Sequence, residues 1–204
     1  MTKRSLRSLH RGFVREAQTA ATAFSSGATL PDCFDPHRNN REWCALNLHD
    51  AWARFCRSLV LDSAFASTTT LSGTLVPPVV SSEGLAVSAV RKAFSRGGSV
   101  WEPQWASAAD AVKAAVALRI ANRAQVTAGL GASPNPDEDL RLVRNFIAHR
   151  NIRTALDLRR LRGRLGAPPG DLVDSLLGMP SPPYSSLFER WIEELISIGA
   201  VASK

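Results

Sequence analysis

Residues 4–25 carry two opposed stripes at helical period. At about 100° per residue, Arg4, Arg7, Arg11 and Arg15 fall along one line. Leu6, Leu9, Phe13, Ala17, Ala20 and Phe24 fall along the other. The same period returns in later segments, and no stretch alternates apolar and polar residues between turn signals as a half-buried strand does. The chain therefore reads as all-α, without internal repeats. The arginine line fits a basic rail for RNA or an anionic surface, but the solvated back of a bundle helix is the commoner origin of such a pattern.

Gly27, Pro31 and Pro36 interrupt the chain before a longer helix predicted from about Asn40 to Ala66. Leu48, Trp52, Phe55 and Leu59 form its core stripe, so Trp52 is assigned to the interior rather than to a base-stacking platform. Residues 67–82, rich in Ser, Thr, Gly and Pro, read as a loop, and a second loop is predicted near 97–105. Trp101 and Trp105 in that second loop are expected to tether it to the core. Further helices are predicted over Glu83 to Ser95, Ala106 to Ala121, Arg123 to Leu130 and Asp171 to Leu177. A last one begins near Ser186, whose spacing to Glu189 fits a capping box, and carries Leu187, Trp191, Leu195 and Ile198 as its seam.

Length and composition set the bounds. A chain of 204 residues suits one domain over 1–204 and can bury a core, and 45% apolar against 21% charged residues excludes a disordered polymer. Lys3, Lys92, Lys113 and Lys204 are the only lysines among 25 basic side chains, which leaves 21 arginines and a formal net charge of +7. Arginine's forked donors match phosphate, so the balance favours a nucleic-acid partner. Cys33, Cys44 and Cys56 form no C-x-x-C and have no histidine at metal-ligand spacing, so reduced thiols are expected, with no metal and no cofactor. No apolar segment follows the basic N-terminal residues, and none approaches the roughly 20 residues of a membrane span. A soluble, cytoplasmic protein with no membrane contact is the expectation.

The chemistry concentrates in Arg144-Asn145-Phe146-Ile147-Ala148-His149. Asn135 suits an N-cap, Pro136 a first helical position, and Asp137, Glu138 and Asp139 the positive end of a helix dipole. Leu140, Val143 and Ile147 give this helix a seam. Arg144 and His149 then differ by about 140° in direction and roughly 7.5 Å in height, while Asn145 shares the face of His149. One copy of the helix does not bring both groups to one phosphate; two copies about a two-fold axis can. Arginine and histidine near a helix C-terminus are also favoured by the dipole alone. His49, followed by Asp50, is a secondary candidate, whereas His10 and His37 have no chemical company.

The motif resembles the R-x4-6-H signature of the HEPN (higher eukaryotes and prokaryotes nucleotide-binding) domains, in which a polar residue commonly follows the arginine. Arg4 to His10 also fits the bare spacing, but Asn145, the late capped helix and the continuation Ala148-His149-Arg150-Asn151 distinguish the second occurrence. The long helix around Asn47-Leu48-His49-Asp50-Ala51-Trp52 adds to the likeness. The resemblance implies a HEPN-like bundle of four core helices with additional short ones, and metal-independent RNA cleavage by attack of the ribose 2′-hydroxyl on its own phosphorus. It further implies a homodimer with a composite site, and a setting in bacterial toxin–antitoxin or anti-phage defence with a cognate antitoxin or partner protein. In that reading Arg144 stabilises charge on phosphorus, His149 handles protons and Asn145 orients either group.

Arg150, Arg153, Arg159, Arg160, Arg162 and Arg164 crowd the following residues against Asp157 alone. Arg150, Arg153, Arg159 and Arg160 are candidate contacts to RNA backbone. A solvated, partly mobile segment containing Gly163, Gly166, Pro168 and Pro169 is the competing reading. From a different functional class, the chain is alternatively a non-catalytic HEPN-like module that binds nucleotide, RNA or a protein, or a basic adaptor using its N-terminal arginine line.

Overall fold

A computed structural model of the chain describes residues 3–26, 40–95 and 101–204. Helix accounts for 69% of the described residues, which places the chain in the all-α class despite a small sheet. Among the described residues the helices are α1 (Leu6–Ser26), α2 (Asn40–Phe65), α3 (Glu83–Phe94), α4 (Ala108–Leu118), α5 (Arg123–Leu130), α6 (Asp137–His149), α7 (Ile152–Leu165), α8 (Leu172–Leu177) and α9 (Leu187–Ala202). No helix among them is long and apolar enough to cross a membrane. The predicted breaks at Gly27, Pro31 and Pro36, together with Cys33, His37 and the segment 96–100, lie outside the described residues. Cys44 and Cys56 are both buried.

The chain divides into two compact units. The first comprises Met1–Val14, Trp52–Asn135 and Ile196–Lys204. Its aromatic centre is the trio Phe13, Trp52 and Phe55, with centroids 5.1 to 5.5 Å apart and every ring buried. Gly199 makes room for it: a Cβ there would stand 3.2 Å from Phe55. Three strands, β1 (Lys3–Ser5), β2 (Ser67–Thr69) and β3 (Leu75–Val76), form a sheet in that order. β1 runs parallel to β2 with Arg4 opposite Thr68, and β2 runs antiparallel to β3 with Thr68 opposite Val76.

This sheet corrects two sequence expectations. Residues 67–82 are not wholly loop, because Thr68 and Val76 are buried strand residues flanking a turn at Gly73, whose φ is 89°. Nor does the first helix begin at residue 4. Arg4 belongs to β1, and its guanidinium reaches Asp62 at 2.5 Å, while Arg7 donates to the Leu71 carbonyl at 2.8 Å. Half of the arginine line is thereby committed to its own unit. Strands of two or three residues are too short to show a period of two.

The second unit comprises Arg15–Ala51 and Pro136–Leu195. Phe24 stacks on Phe188 at 4.6 Å, and the Arg41 guanidinium lies 5.1 Å from the Phe24 centroid on its ring face. Leu140, Val143 and Ile147 of α6 and Leu158 and Leu161 of α7 are buried. Here the basic run after the motif forms a regular helix, with Arg153, Arg159, Arg160 and Arg164 exposed to solvent along it. A reciprocal capping box starts it: the Thr154 N–H donates to Asn151 Oδ1 at 2.9 Å, and the Asn151 N–H donates to Thr154 Oγ1 at 3.2 Å. Gly166, at a φ of 69°, ends it in the left-handed conformation. The capping box proposed for α9 closes on one side only. Ser186 Oγ accepts the Glu189 N–H at 3.2 Å, whereas the Glu189 carboxylate takes the Ser185 N–H.

Candidate active site

Every residue of the motif lies in the second unit, on α6 and the turn that follows it. α6 starts one residue later than its sequence suggests. Asn135 Nδ2 donates to the Leu130 carbonyl at 2.9 Å, so Pro136 occupies the cap position without a side-chain bond. Asp137, Glu138 and Asp139 fill the first turn as expected.

Arg144 is half-buried. Its Nη1 donates to Asn145 Oδ1 at a long 3.4 Å, and no carboxylate pairs with it among the described residues. Arg141, one turn earlier, is in the opposite state. It donates through Nε to Glu138 Oε2 at 2.8 Å and through Nη2 to the same carboxylate. Those bonds hold the Glu138 carboxyl below its ordinary range and raise Arg141 further. A partly desolvated guanidinium with no counter-charge is a receptor for an anion, and a phosphate oxygen would complete its donor fork.

The histidine that senses Arg144 is His49, on α2. Its side chain is only 13% exposed, and its pKa lies below the usual 6.5. Burial is the main cause, Asp50 opposes it, and the positive charges of Arg144 and Arg141 add to the lowering. The burial of His49 therefore favours the neutral imidazole. Its Nδ1 lies 3.3 Å from Asp50 Oδ1, and a carboxylate can only accept, so the ring proton sits on Nδ1 and Nε2 keeps its lone pair. A neutral base within electrostatic range of an unpaired arginine is a chemically useful combination.

His149 is placed differently. It is the last residue of α6, exposed, and followed by Arg150 in the left-handed conformation with φ 41°. The residues Arg144 and His149 of one chain are therefore not gathered by α6 onto one point, as their spacing implied. Arg150 is paired within the unit: its Nη2 meets Glu42 Oε2 at 2.5 Å, with the Glu42 side chain 7% exposed and that of Arg150 56% exposed. Arg153 and Arg159 are exposed on α7, and Arg160 pairs with Asp157 at 3.3 Å.

No family model, curated protein or solved structure matches this chain. The site must be read from its own groups. Among the described residues, no cluster of three or more His, Cys, Asp or Glu is arranged to hold a metal ion. Sequence spacing had ranked His49 below His149 because the proximity of His49 to Arg144 joins segments almost a hundred residues apart. The adjacent Asp50 was the one local signal for it. The Glu42 to Arg150 pair left no local signal at all.

Proposed function

We propose that this chain is a metal-independent endoribonuclease of the HEPN type, built on a HEPN-like helical bundle and acting as a homodimer with a composite site. One observation carries the reading: Arg144 is half-buried, unpaired with any described carboxylate, and close enough to lower the pKa of a neutral His49. Arg144 receives the scissile phosphate, and Asn145 steadies the guanidinium or a phosphate oxygen. His49 Nε2 accepts the proton of the ribose 2′-hydroxyl. The new bond joins that oxygen to phosphorus, the bond from phosphorus to the 5′-oxygen of the next nucleotide breaks, and the departing oxygen takes a proton from His149 of a second copy. The products are a 2′,3′-cyclic phosphate and a 5′-hydroxyl; DNA lacks the nucleophile.

The resemblance on which the motif was identified places such enzymes in toxin–antitoxin and anti-phage systems, and we extend that setting to this chain, with an antitoxin or other protein as its inhibitor. Incubation of single-stranded RNA with purified protein in EDTA tests the activity. Cleavage ending in cyclic phosphate, lost in His149→Ala and Arg144→Ala, supports it. Intact RNA at equimolar protein defeats it.

The second reading is a non-catalytic module that binds nucleotide, RNA or protein. It is favoured by the angular separation of Arg144 and His149 around α6, about 140°. Retained RNA binding without cleavage, unaffected by His149→Ala, selects it.

A further inference from the structure

α7 has a second face that its own unit leaves uncovered. Ile152 is 82% exposed and Leu156 is 44% exposed, one helical turn apart. At about 100° per residue, Gly163 projects between them, so the three define one narrow stripe opposite the buried Leu158 and Leu161. Arg159 flanks the stripe on one side, and Arg160, Arg153 and Arg164 flank it on the other. A Cβ on Gly163 would meet nothing within 4 Å, so the glycine is not required by packing within the chain. Glycine weakens a helix interior, and here it leaves a notch along the apolar line.

We infer that this outward face of α7 is a docking surface for an acidic amphipathic helix of a partner protein. The apolar stripe supplies the contact that burial makes favourable, and the bordering arginines select the charge of what covers it. Arg153 and Arg159 have no carboxylate partner among the described residues, so their charges are available to the incoming chain. A second copy of this chain is the wrong occupant, because pairing α7 with α7 sets arginines against arginines. RNA held by Arg153 and Arg159 would leave the stripe uncovered, because Ile152 and Leu156 offer nothing to phosphate and no aromatic plane to a base. The inference is independent of the chemistry at Arg144.

The test is selection from a random peptide library displayed on phage, about 16 residues long to allow four helical turns. The full chain is the bait, with counter-selection on the Ile152→Ser, Leu156→Ser double variant. Enriched peptides should carry Leu, Ile or Phe at three- and four-residue intervals among Asp and Glu. Synthesised, they should bind the double variant about tenfold more weakly than the wild type, and bind more weakly in high salt. Both substituted positions are exposed, and matching circular-dichroism melts establish that the variant is folded. The Arg153→Glu, Arg159→Glu variant keeps the apolar stripe and should lose a similar factor through charge alone. Enrichment without acidic bias, or equal affinity for the serine variant, overturns the proposal. So does displacement of the peptides by oligouridylate whose own binding ignores Ile152→Ser, which would make this face a nucleic-acid surface.

Discussion

Replacing Arg150 separates a structural arginine from an RNA-binding one. Its guanidinium lies 2.5 Å from the Glu42 carboxylate, which is nearly buried, while the Arg150 side chain is 56% exposed. A hydrogen bond to a charged group contributes about 1.5–3 kcal/mol, and exposure of one partner screens part of it. Arg150→Ala should therefore cost about 1–2 kcal/mol, chiefly because the nearly buried Glu42 carboxylate loses this charged hydrogen bond. The backbone offers an internal control. At φ 41° any residue with a Cβ carries left-handed strain of about 1–2 kcal/mol, and alanine inherits all of it. Arg150→Gly removes that strain but gains freedom in the unfolded chain, about 0.4–1 kcal/mol. Glycine should accordingly retain about 0.5–1 kcal/mol more stability than alanine. Urea titrations followed by circular dichroism at pH 7 give these differences, and a double-mutant cycle with Glu42→Gln should return a coupling of about 1 kcal/mol. An unchanged midpoint for Arg150→Ala, a coupling near zero and a fall in RNA affinity would together refute the structural assignment.

His49 should make the fold pH-dependent. Its folded pKa lies below 6.5, so in the window between that lower value and 6.5 the unfolded chain binds a proton that the folded chain does not. Stability should fall as pH drops through this window and level off above it; thermal melts of wild type and His49→Asn from pH 5 to 8 check it, and identical slopes would contradict it. Leu158, fully buried on α7, should cost about 2–4 kcal/mol when cut to alanine. Denaturant midpoints measure this, and a change near zero would return the basic run to the status of a loosely held segment.

Local pattern exposed much of this fold. α5 spans Arg123–Leu130 as the sequence indicated, and α2 ends at Phe65, one residue short of expectation. Leu6, Phe13, Ala17, Ala20 and Phe24 are all buried, as a single stripe required. α7 was obscured because its arginines dominate the composition, leaving Leu158 and Leu161 as an inconspicuous seam. Its Asn151 to Thr154 box was nevertheless readable, since both halves lie within one turn. What escaped was long-range. The burial that lowers the His49 pKa, the arginine charges that add to it and the carboxylate that holds Arg150 come from segments that meet only after folding, and no periodicity encodes them.

Mixing two inactive variants probes the composite site most directly. Arg144→Ala and His149→Ala chains, each unable to cut RNA, are to be denatured together, refolded at equal concentration and assayed on single-stranded RNA in EDTA. If each site takes Arg144 from one copy and His149 from the other, half of the dimers are mixed and each has one intact site. The mixture should then recover about a quarter of the wild-type rate, from the statistics of a two-fold dimer. No recovery, with mixed dimers demonstrably formed, would contradict a site shared between copies.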